Sequence, residues 1–411
     1  MKYLFIVFLW IAAFSARSQG RDLDFFIQQA RQNSPVIRDY ENQVRSLQID
    51  SQLLRASLHT QVNGISTDSY APIIHGYGYD PAISNIANVS GLIQANRNFL
   101  TPANVALQYR TIALQSRALL DTIRLSERDL VRTITEQYIT AYGDLLTVDF
   151  SKEVFDLMKS EEQMLKKLTE ASVFKQTDYL NFYVTMQQQE LSYLQAQIQY
   201  NNDYLTLNYL AGLEDTSINR IDKPLITDSA FQLDLYRSVF LNRFVTDSLR
   251  IQNERALIAY QYKPKIGAYT DAGYNSSLQF QPYKNFGFSV GVSLTVPIYD
   301  GHQRQLKYSR IDIEERTRQY NRQFFIRQYN QQIAQLRQQL RATDFLVDKI
   351  NQQINYAHTL ILANNKLLET GDITMRDYVT SINNYLSAQN LLRQNNVGRL
   401  RIINQINYWN R

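Results

Sequence analysis

The sequence predicts a mainly helical fold that carries a few membrane-length β-strands, with the whole arrangement repeated along the chain. Three observations predict this fold class. The stretch Phe286–Val296 alternates bulky apolar residues at even positions with small or hydroxylic residues at odd positions, which is the period of a strand with one apolar face. The segments around it carry apolar residues at helical, coiled-coil-like spacing. Several residue pairs recur at one fixed separation of 199 residues.

The N-terminus has the pattern of a secretory signal peptide over residues 1–18. Lys2 precedes the apolar run Tyr3–Phe14, and Ala16-Arg17-Ser18 forms a small-x-small cleavage site. The run is too short to span a bilayer, so we interpret it as a cleaved leader, with a retained signal anchor as the alternative. Since no later apolar run is long enough to span, we expect no transmembrane helix.

Composition excludes several classes of function. The chain has no cysteine, so we expect no disulfide and no acylated N-terminal cysteine, and hence no lipoprotein. The net charge of +5 is spread without long runs of like charge, which gives no indication of nucleic-acid binding. The four histidines lack ligand spacing, and no catalytic or nucleotide-binding motif occurs. We therefore expect no enzyme, no metal and no cofactor.

The internal duplication divides the chain. The recurring features are Glu170 and Glu369, Asp178-Tyr179 and Asp377-Tyr378, Asn208-Tyr209 and Asn407-Tyr408, and the strands Ala87–Arg97 and Phe286–Val296. The two strand copies agree in phase as well as in position. We predict a first repeat over residues 19–211, a linker over 212–234 that contains Pro224, and a second repeat over 235–411.

Each repeat has the same predicted order of elements. It opens with a helix, at about 24–58 and about 231–260. Two strands follow, at about 61–70 and 86–99 in the first repeat and about 264–275 and 286–298 in the second. A long helical stretch comes next, roughly 102–170 and 302–369, and the last helices cover about 178–210 and 377–408. Each strand is long enough to cross a bilayer at a tilt, which takes about 9–11 residues.

The last helix of the first repeat carries the clearest coiled-coil seam. Its positions step by three and four residues, and they are Tyr179, Phe182, Met186, Gln189, Tyr193, Ala196, Tyr200, Asp203, Leu207 and Leu210. Such spacing predicts helices packed side by side at shallow angles. The polar members of the seam indicate a broad, partly wet helical wall.

The strand count predicts an oligomer. Four strands cannot close a barrel, and an open sheet in lipid leaves unpaired backbone groups that each cost several kcal/mol. Two copies give eight strands and three give twelve. The inward-phase residues of the last strand are small or polar, which suits a water-filled lumen and hence three copies; they are Gly287, Ser289, Gly291, Ser293 and Thr295. A soluble sandwich is the alternative.

Several short segments resemble the TolC-like outer-membrane efflux family, in an order that covers nearly the whole mature chain. They are Asn33–Pro35 in the first helix, Gln176–Leu180 and Gly371–Val379 at the starts of the last helices, and Val296–Gly301 at the strand exit. The first repeat departs from the pattern, because it has Ala171-Ser172-Val173 where the family has a bend glycine.

The resemblance implies a homotrimer in the outer membrane of a Gram-negative bacterium. Its twelve-stranded barrel, with four strands from each chain, would stand above a long α-helical coiled-coil tunnel through the periplasm. The implied function is the passive exit duct of a tripartite efflux or type I secretion system. The implied partners are a periplasmic adaptor (membrane fusion) protein and an inner-membrane pump of the RND, ABC or MFS type. The alternative is a non-conducting periplasmic coiled-coil protein, anchored by a small sheet, with a structural or interaction role.

The resemblance also implies a gate at the periplasmic tip of the helices. The candidate tip residues are Thr177, Asp178, Gly371, Thr374, Asp377 and Thr380. Asp178 and Asp377 match acidic positions of the family, and Thr380 lies where a second acid can occur. Leu368 and Ile373 stand where the family can have a gating tyrosine and arginine, which favours an apolar or differently wired gate. Capping of the helices by Asp178 and by a Thr374–Asp377 pair is the simpler role for the same residues.

Overall fold

The fold was examined in a computed structural model of the chain. It describes residues 21–80, 87–228, 238–278, 281–370 and 372–410. The predicted signal peptide and Gly371 lie outside these ranges, as does part of the predicted linker. The helices are α1 Leu23–Asn33, α2 Pro35–Ser57, α3 Pro102–Glu170, α4 Gln176–Leu210, α5 Val239–Gln261, α6 Gln303–Thr370 and α7 Met375–Asn410. The strands are β1 Gln61–Tyr70, β2 Ala87–Phe99, β3 Lys265–Ser276 and β4 Phe286–Thr295.

The predicted first helix is two helices in the structure. Ser34 separates α1 from α2 and has extended backbone, with φ −64° and ψ 114°. The cause is Pro35, which disfavours helical backbone at the preceding residue and suits the first position of a new helix. The Ser34 hydroxyl accepts the backbone N–H of Ile37 at 3.4 Å and so caps α2.

The four strands form one antiparallel sheet in chain order, β1-β2-β3-β4. The central β2–β3 pair joins the two predicted repeats, and β1 and β4 each pair with one strand among the described residues. The β4 ladder ends where Thr295 pairs with Lys265, short of the predicted end at residue 298. Pro297 explains the difference, because it has no N–H to donate to a neighbouring strand.

The two faces of β4 differ as the alternation predicts. The large apolar residues of its even positions are 64–81% exposed in the protomer; they are Phe286, Phe288, Val290, Val292 and Leu294. On the other face the Ser289 hydroxyl donates to the Asp271 carboxylate at 2.7 Å. The ring of Tyr269 fills the space that a side chain at Gly291 would need. β4 therefore has one uncovered apolar face and one face of hydroxyls and glycine.

Arg97 lies in the apolar phase of β2, but at its end. It pairs with Ala268, two residues before the strand ends at Phe99. Its guanidinium lies 5.7 Å from the centre of the Phe99 ring. The cation is thus adjacent to the start of α3 and away from the middle of the sheet.

The chain divides into two compact units. The first combines Met1–Arg38, Arg124–Ser238 and Phe325–Arg411, and the second combines Asp39–Ile123 and Val239–Phe324. Each unit takes segments from both predicted repeats. Among the described residues, none of the helices combines the length and the apolar character that crossing a membrane requires.

The core of the first unit holds the described part of the linker against the helices. Phe26 packs edge-to-face on Tyr138 and Tyr204, with ring centres 5.9 and 6.2 Å apart. The Tyr138 hydroxyl donates to the backbone carbonyl of Asp222 at 2.8 Å. The linker from residue 213 to 228 has neither helix nor strand, so such side-chain bonds satisfy its backbone.

The duplicated asparagines anchor the two ends of this linker. Asn208 and Asn407 are both buried, at 2% and 8% exposure. The Asn208 amide donates to the carbonyl of Asp215 at 2.8 Å, and the Asn407 amide donates to that of Thr227 at 2.9 Å. The two asparagines, 199 residues apart, therefore make equivalent hydrogen bonds to the backbone of the linker.

A half-buried carboxyl pair, Asp144 of α3 and Asp203 of α4, lies in the first unit. Burial, a hydrogen bond with Asp203 and the charge of Asp203 raise the pKa of Asp144 to about 7. Although burial opposes it, hydrogen bonds from Asp144, Gln137 and Gln199 lower the pKa of Asp203. The pair thus shares one proton, which sits on Asp144.

Replacing Asp144 with asparagine is expected to stabilise the protein at high pH. In the unfolded chain the carboxyl titrates near its ordinary value of about 4. The wild type therefore loses stability as pH rises from about 4 to 7, because the unfolded state ionises first. The two variants should unfold alike at pH 4, and Asp144→Asn should be about 1–2 kcal/mol more stable at pH 8, since the coupled Asp203 offsets part of the effect.

The measurement is thermal or denaturant unfolding of both proteins at acid, neutral and alkaline pH. Asp156→Asn, which changes an exposed aspartate of the same helix, is the control. Identical pH dependence of the wild type and Asp144→Asn would contradict the shared proton.

Candidate gate at the helix bends

Two helix bends, one between α3 and α4 and one between α6 and α7, share a backbone hydrogen bond. The Val173 N–H donates to the Leu168 carbonyl at 2.9 Å, and the Asp372 N–H donates to the Leu367 carbonyl at 2.9 Å. Both donors and both acceptors are 199 residues apart. This six-to-one hydrogen bond is typical of a helix that ends through a left-handed residue.

The left-handed position of the first bend is occupied by serine. Ser172 has φ 63°, and its N–H donates to the Thr169 carbonyl at 2.9 Å. The equivalent position of the second repeat is Gly371. A side chain disfavours this backbone conformation, whereas glycine adopts it freely. Serine at this position therefore raises the local free-energy cost of the first bend, and the six-to-one hydrogen bond is nevertheless made there.

Ser172→Gly is expected to stabilise the protein by about 1 kcal/mol, because it relieves the left-handed strain. Thermal unfolding of the purified variant measures the effect. Ala171→Gly is the matched control, since Ala171 is not among the residues with positive φ. If both variants are stabilised, or if Ser172→Gly is destabilised, the left-handed backbone of Ser172 is not a source of strain.

The start of α7 has the predicted capping pair. The Thr374 hydroxyl donates to the Asp377 carboxylate at 2.6 Å, and the Asp377 N–H donates back to that hydroxyl at 3.3 Å. The equivalent position before α4 is Lys175, whose side chain makes no cap hydrogen bond. Asp178 lies half-buried in the first turn of α4, where its charge favours the helix N-terminus. Asp377 thus takes part in a side-chain cap at the start of α7, whereas Asp178 acts through its charge at the start of α4.

The other predicted tip residues lie close to these two. Thr177 is exposed in the first turn of α4. Thr380 is exposed one turn into α7, where its hydroxyl donates to the Arg376 carbonyl at 2.8 Å. Gly371 falls outside the described residues.

An apolar cluster, here called the bend cluster, joins the four helices beside both bends. Its buried members are Val154, Met158, Leu165, Phe182, Met186, Leu368, Met375, Tyr378 and Ile382. Leu368 is 1% exposed, and Ile373 packs against the cluster. The two positions that we interpreted as apolar replacements of gate residues therefore lie in, or against, one packed interior.

Two duplicated tyrosines bind neighbouring carboxylates of α3. The Tyr179 hydroxyl donates to Glu162 at 2.6 Å, and this hydrogen bond raises the pKa of Tyr179 to about 12. Burial, followed by the charge of Glu161 and a hydrogen bond with it, raises the pKa of Tyr378. Both bends are thereby tied to consecutive residues of one helix, and both tyrosines stay protonated donors at neutral pH.

The glutamates were missed in the sequence, although a signal for their partners was present. The Asp-Tyr pair recurs at the fixed separation of 199 residues, which singled out Tyr179 and Tyr378. Nothing in the pattern of α3 distinguishes Glu161 and Glu162 from its other charged residues. What the arrangement can do is mechanical: it can hold two helix pairs together or let them part.

Comparison with known proteins shows which of them share this fold. No known family's sequence profile matches the chain, and no curated protein matches it in sequence. Similar solved structures include CusC (TM-score 0.76, 12% identity, 95% of this chain and 92% of that chain). They also include the outer-membrane protein VceC from Vibrio cholerae, with a TM-score of 0.75 and 13% identity over 94% of this chain and 96% of that chain. A third is the Campylobacter jejuni CmeC outer membrane channel, with a TM-score of 0.72 and 11% identity over 94% of this chain and 85% of that chain. The predicted fold is confirmed: the chain has the protomer fold of TolC-like outer-membrane channels.

Proposed function

We propose that the chain is a passive exit duct of the outer membrane. Three copies close a twelve-stranded barrel, and their helices continue as a tunnel through the periplasm. The observation that carries the proposal is the four-stranded sheet of the described residues, in which β4 has an uncovered apolar face and β1 and β4 each have one neighbour. An unclosed sheet of this kind is not viable in lipid, and neighbouring copies are the simplest source of the missing strands.

The apolar face of β4 favours lipid as its environment. Its five large side chains stay 64–81% exposed in the protomer. Removing each such side chain from water is worth about 1.5–3 kcal/mol. The opposite face presents Gly287, Ser289, Gly291, Ser293 and Thr295, which are too small or too polar to fill a dry interior. A water-filled lumen, and hence three copies rather than two, fits this face.

The helices of the first unit also lack partners on one side. On α4 an apolar residue is exposed at every seventh position: Val184, Leu191, Ile198 and Leu205, at 36–64% exposure. On α6 the exposed stripe includes Leu346, Tyr356, Leu360 and Leu367. Uncovered coiled-coil stripes on two different helices suit head-to-tail contacts in a closed ring of identical chains.

The gate of this duct lies at the two bends. The bend cluster and the tyrosine–glutamate hydrogen bonds hold the helix pairs together, and opening separates them. Work is done by a partner pump, and cargo then diffuses through the lumen. The expected partners are a periplasmic adaptor and an inner-membrane pump of the RND, ABC or MFS type. The competing function is a non-conducting periplasmic coiled-coil protein anchored by the sheet.

Thiol labelling tests the membrane-spanning sheet, because the chain has no cysteine of its own. Ser293→Cys and Val292→Cys are adjacent residues on opposite faces of β4. In intact proteoliposomes we expect a membrane-impermeant maleimide to modify Ser293→Cys and to leave Val292→Cys unmodified until detergent is added. Equal modification of both cysteine variants in membranes would contradict a spanning sheet and favour the non-conducting periplasmic coiled-coil protein.

The tip aspartates give a separate prediction for the pore. In a trimer, three copies each of Asp178 and Asp377 converge, so a trivalent cation should block the conductance. Asp178→Asn and Asp377→Asn should each weaken the block about tenfold, because each removes three charges from the ring. Asp156→Asn is the control and should keep the wild-type block. If the block is unchanged in both tip variants, these aspartates only stabilise their helices.

A further inference from the structure

The apolar phase of β4 runs on beyond the strand. Val296 and Ile298 continue the even-numbered series and are 49% and 95% exposed. Tyr299 follows at 81% exposure, and its ring meets His302 edge-on with centres 6.1 Å apart. An apolar surface therefore leads without a break into aromatic residues, just before α6 begins.

Three cations lie on tyrosine rings at this end of α5 and α6. The ammonium of Lys263 is 3.8 Å from the centre of the Tyr260 ring. That of Lys307 is 5.3 Å from the centre of the Tyr262 ring, and the guanidinium of Arg304 is 5.9 Å from it. A cavity of about 530 Å³ opens here, and its lining includes Tyr262, Ile298, Tyr299, Arg304 and Tyr308. We call Lys263, Arg304 and Lys307 the cation cluster.

The cation cluster differs from the cations further along the same helices. Four of those form ion pairs between or within α5 and α6: Arg250–Glu314 at 3.1 Å, Arg255–Asp312 at 2.5 Å, Arg310–Glu254 at 2.9 Å and Arg318–Glu315 at 2.6 Å. Within the part of the chain that the structure describes, no member of the cation cluster forms an ion pair.

Two carboxylates that line the same cavity as Arg304, those of Asp300 and Asp312, are already engaged. The Asp300 carboxylate accepts the backbone N–H groups of His302 and Arg304, at 3.0 and 2.9 Å, and so caps the start of α6. Asp312 is paired with Arg255. The Lys307 ammonium donates one hydrogen bond, to the Gln261 side-chain oxygen at 3.0 Å, and an ammonium has three N–H donors. The cluster thus keeps three positive charges that can meet an anion from outside the chain.

We propose that the cation cluster and its tyrosines bind the phosphate of an anionic phospholipid headgroup. The inference rests on the proposed function, which places β4 in the bilayer and α5 and α6 on its periplasmic side. In that setting Val296 and Ile298 contact acyl chains, Tyr299 lies at the interface, and the cations lie at headgroup depth. Continuity with the apolar strand is what selects a lipid over a dissolved ion.

Lipid retention tests the site directly. The full chain is reconstituted in bilayers of equal phosphatidylglycerol and phosphatidylcholine, extracted in mild detergent, and its bound lipids are counted by native mass spectrometry. The wild type should retain phosphatidylglycerol in clear excess. The variant Lys263→Gln/Arg304→Gln/Lys307→Gln should lower that excess about tenfold. The matched control Lys152→Gln/Lys166→Gln/Lys167→Gln removes as much charge from exposed lysines elsewhere and should retain the wild-type excess.

Three outcomes would overturn the site. They are a wild type with no excess of phosphatidylglycerol, a cluster variant that keeps the full excess, and displacement of the lipid by inorganic phosphate, which would show an ion site. Conductance of the same preparations separates this failure from that of the duct. If the protein forms channels but shows no preference for phosphatidylglycerol, only the proposed lipid site is contradicted. If the protein binds the membrane but forms no channels, the exit duct is contradicted.

Discussion

Val290→Arg is expected to abolish assembly of the protein in membranes, whereas Ser289→Arg is expected to leave assembly intact. Val290 is 73% exposed in the middle of the apolar face of β4. An arginine at the midplane on the lipid side costs about 2–4 kcal/mol per copy, or about 6–12 kcal/mol for three copies. On the other face, an arginine at position 289 faces Asp271, whose carboxylate accepts a hydrogen bond from Ser289 in the wild type.

The measurement is the yield of heat-resistant oligomer in isolated outer membranes, with single-channel conductance of whatever assembles. Ser289→Arg should assemble at wild-type yield and pass less current, because three guanidinium groups narrow the lumen. Equal loss of assembly in both variants, or tolerance of both, would show that the faces of β4 are not divided between lipid and water.

Tyr378→Ala is expected to loosen the bends and to raise the conductance of the channel several-fold. Tyr378 is 2% exposed in the bend cluster, and truncating a buried aromatic side chain costs about 3–5 kcal/mol. The same change removes the hydroxyl that meets Glu161 and leaves a half-buried carboxylate without it. Both effects weaken the contact that holds the helix pairs together.

Two further variants separate packing from hydrogen bonding. Tyr378→Phe keeps the ring and removes only the hydroxyl, so its conductance should fall between those of the wild type and Tyr378→Ala. Tyr320→Ala truncates a tyrosine of α6 that is 67% exposed and lies outside the exposed stripe, so it should leave the conductance unchanged. If Tyr378→Ala lowers the melting temperature and the conductance stays at the wild-type level, the bend cluster is structural and the gate lies elsewhere.

The elements could be predicted because their periodicities are local. The alternation in Phe286–Val296 needs no knowledge of the fold, and its phase survives in Ala87–Arg97 at the same offset. Ser34 shows the limit of this approach. The apolar pattern continues through it, and only the backbone restriction that Pro35 imposes divides the helix.

The contacts of the candidate gate could not be predicted, because they depend on how helices pack. Glu161 and Glu162 are adjacent and lie on different sides of α3, so which tyrosine each one meets follows from the placement of α4 and α7. The exposed stripe of α4 illustrates the same limit. The coiled-coil seam of α4 was predicted from the sequence. That Val184 and Leu191 stay exposed in the protomer is known only from the structure.

Single-channel recording from planar bilayers tests the central claim most directly. The purified chain is predicted to form oligomers that give discrete, small conductance steps, which become larger in Tyr378→Ala and are unchanged in Tyr320→Ala. An oligomer that binds the bilayer and gives no steps in any of the three proteins would contradict the exit duct.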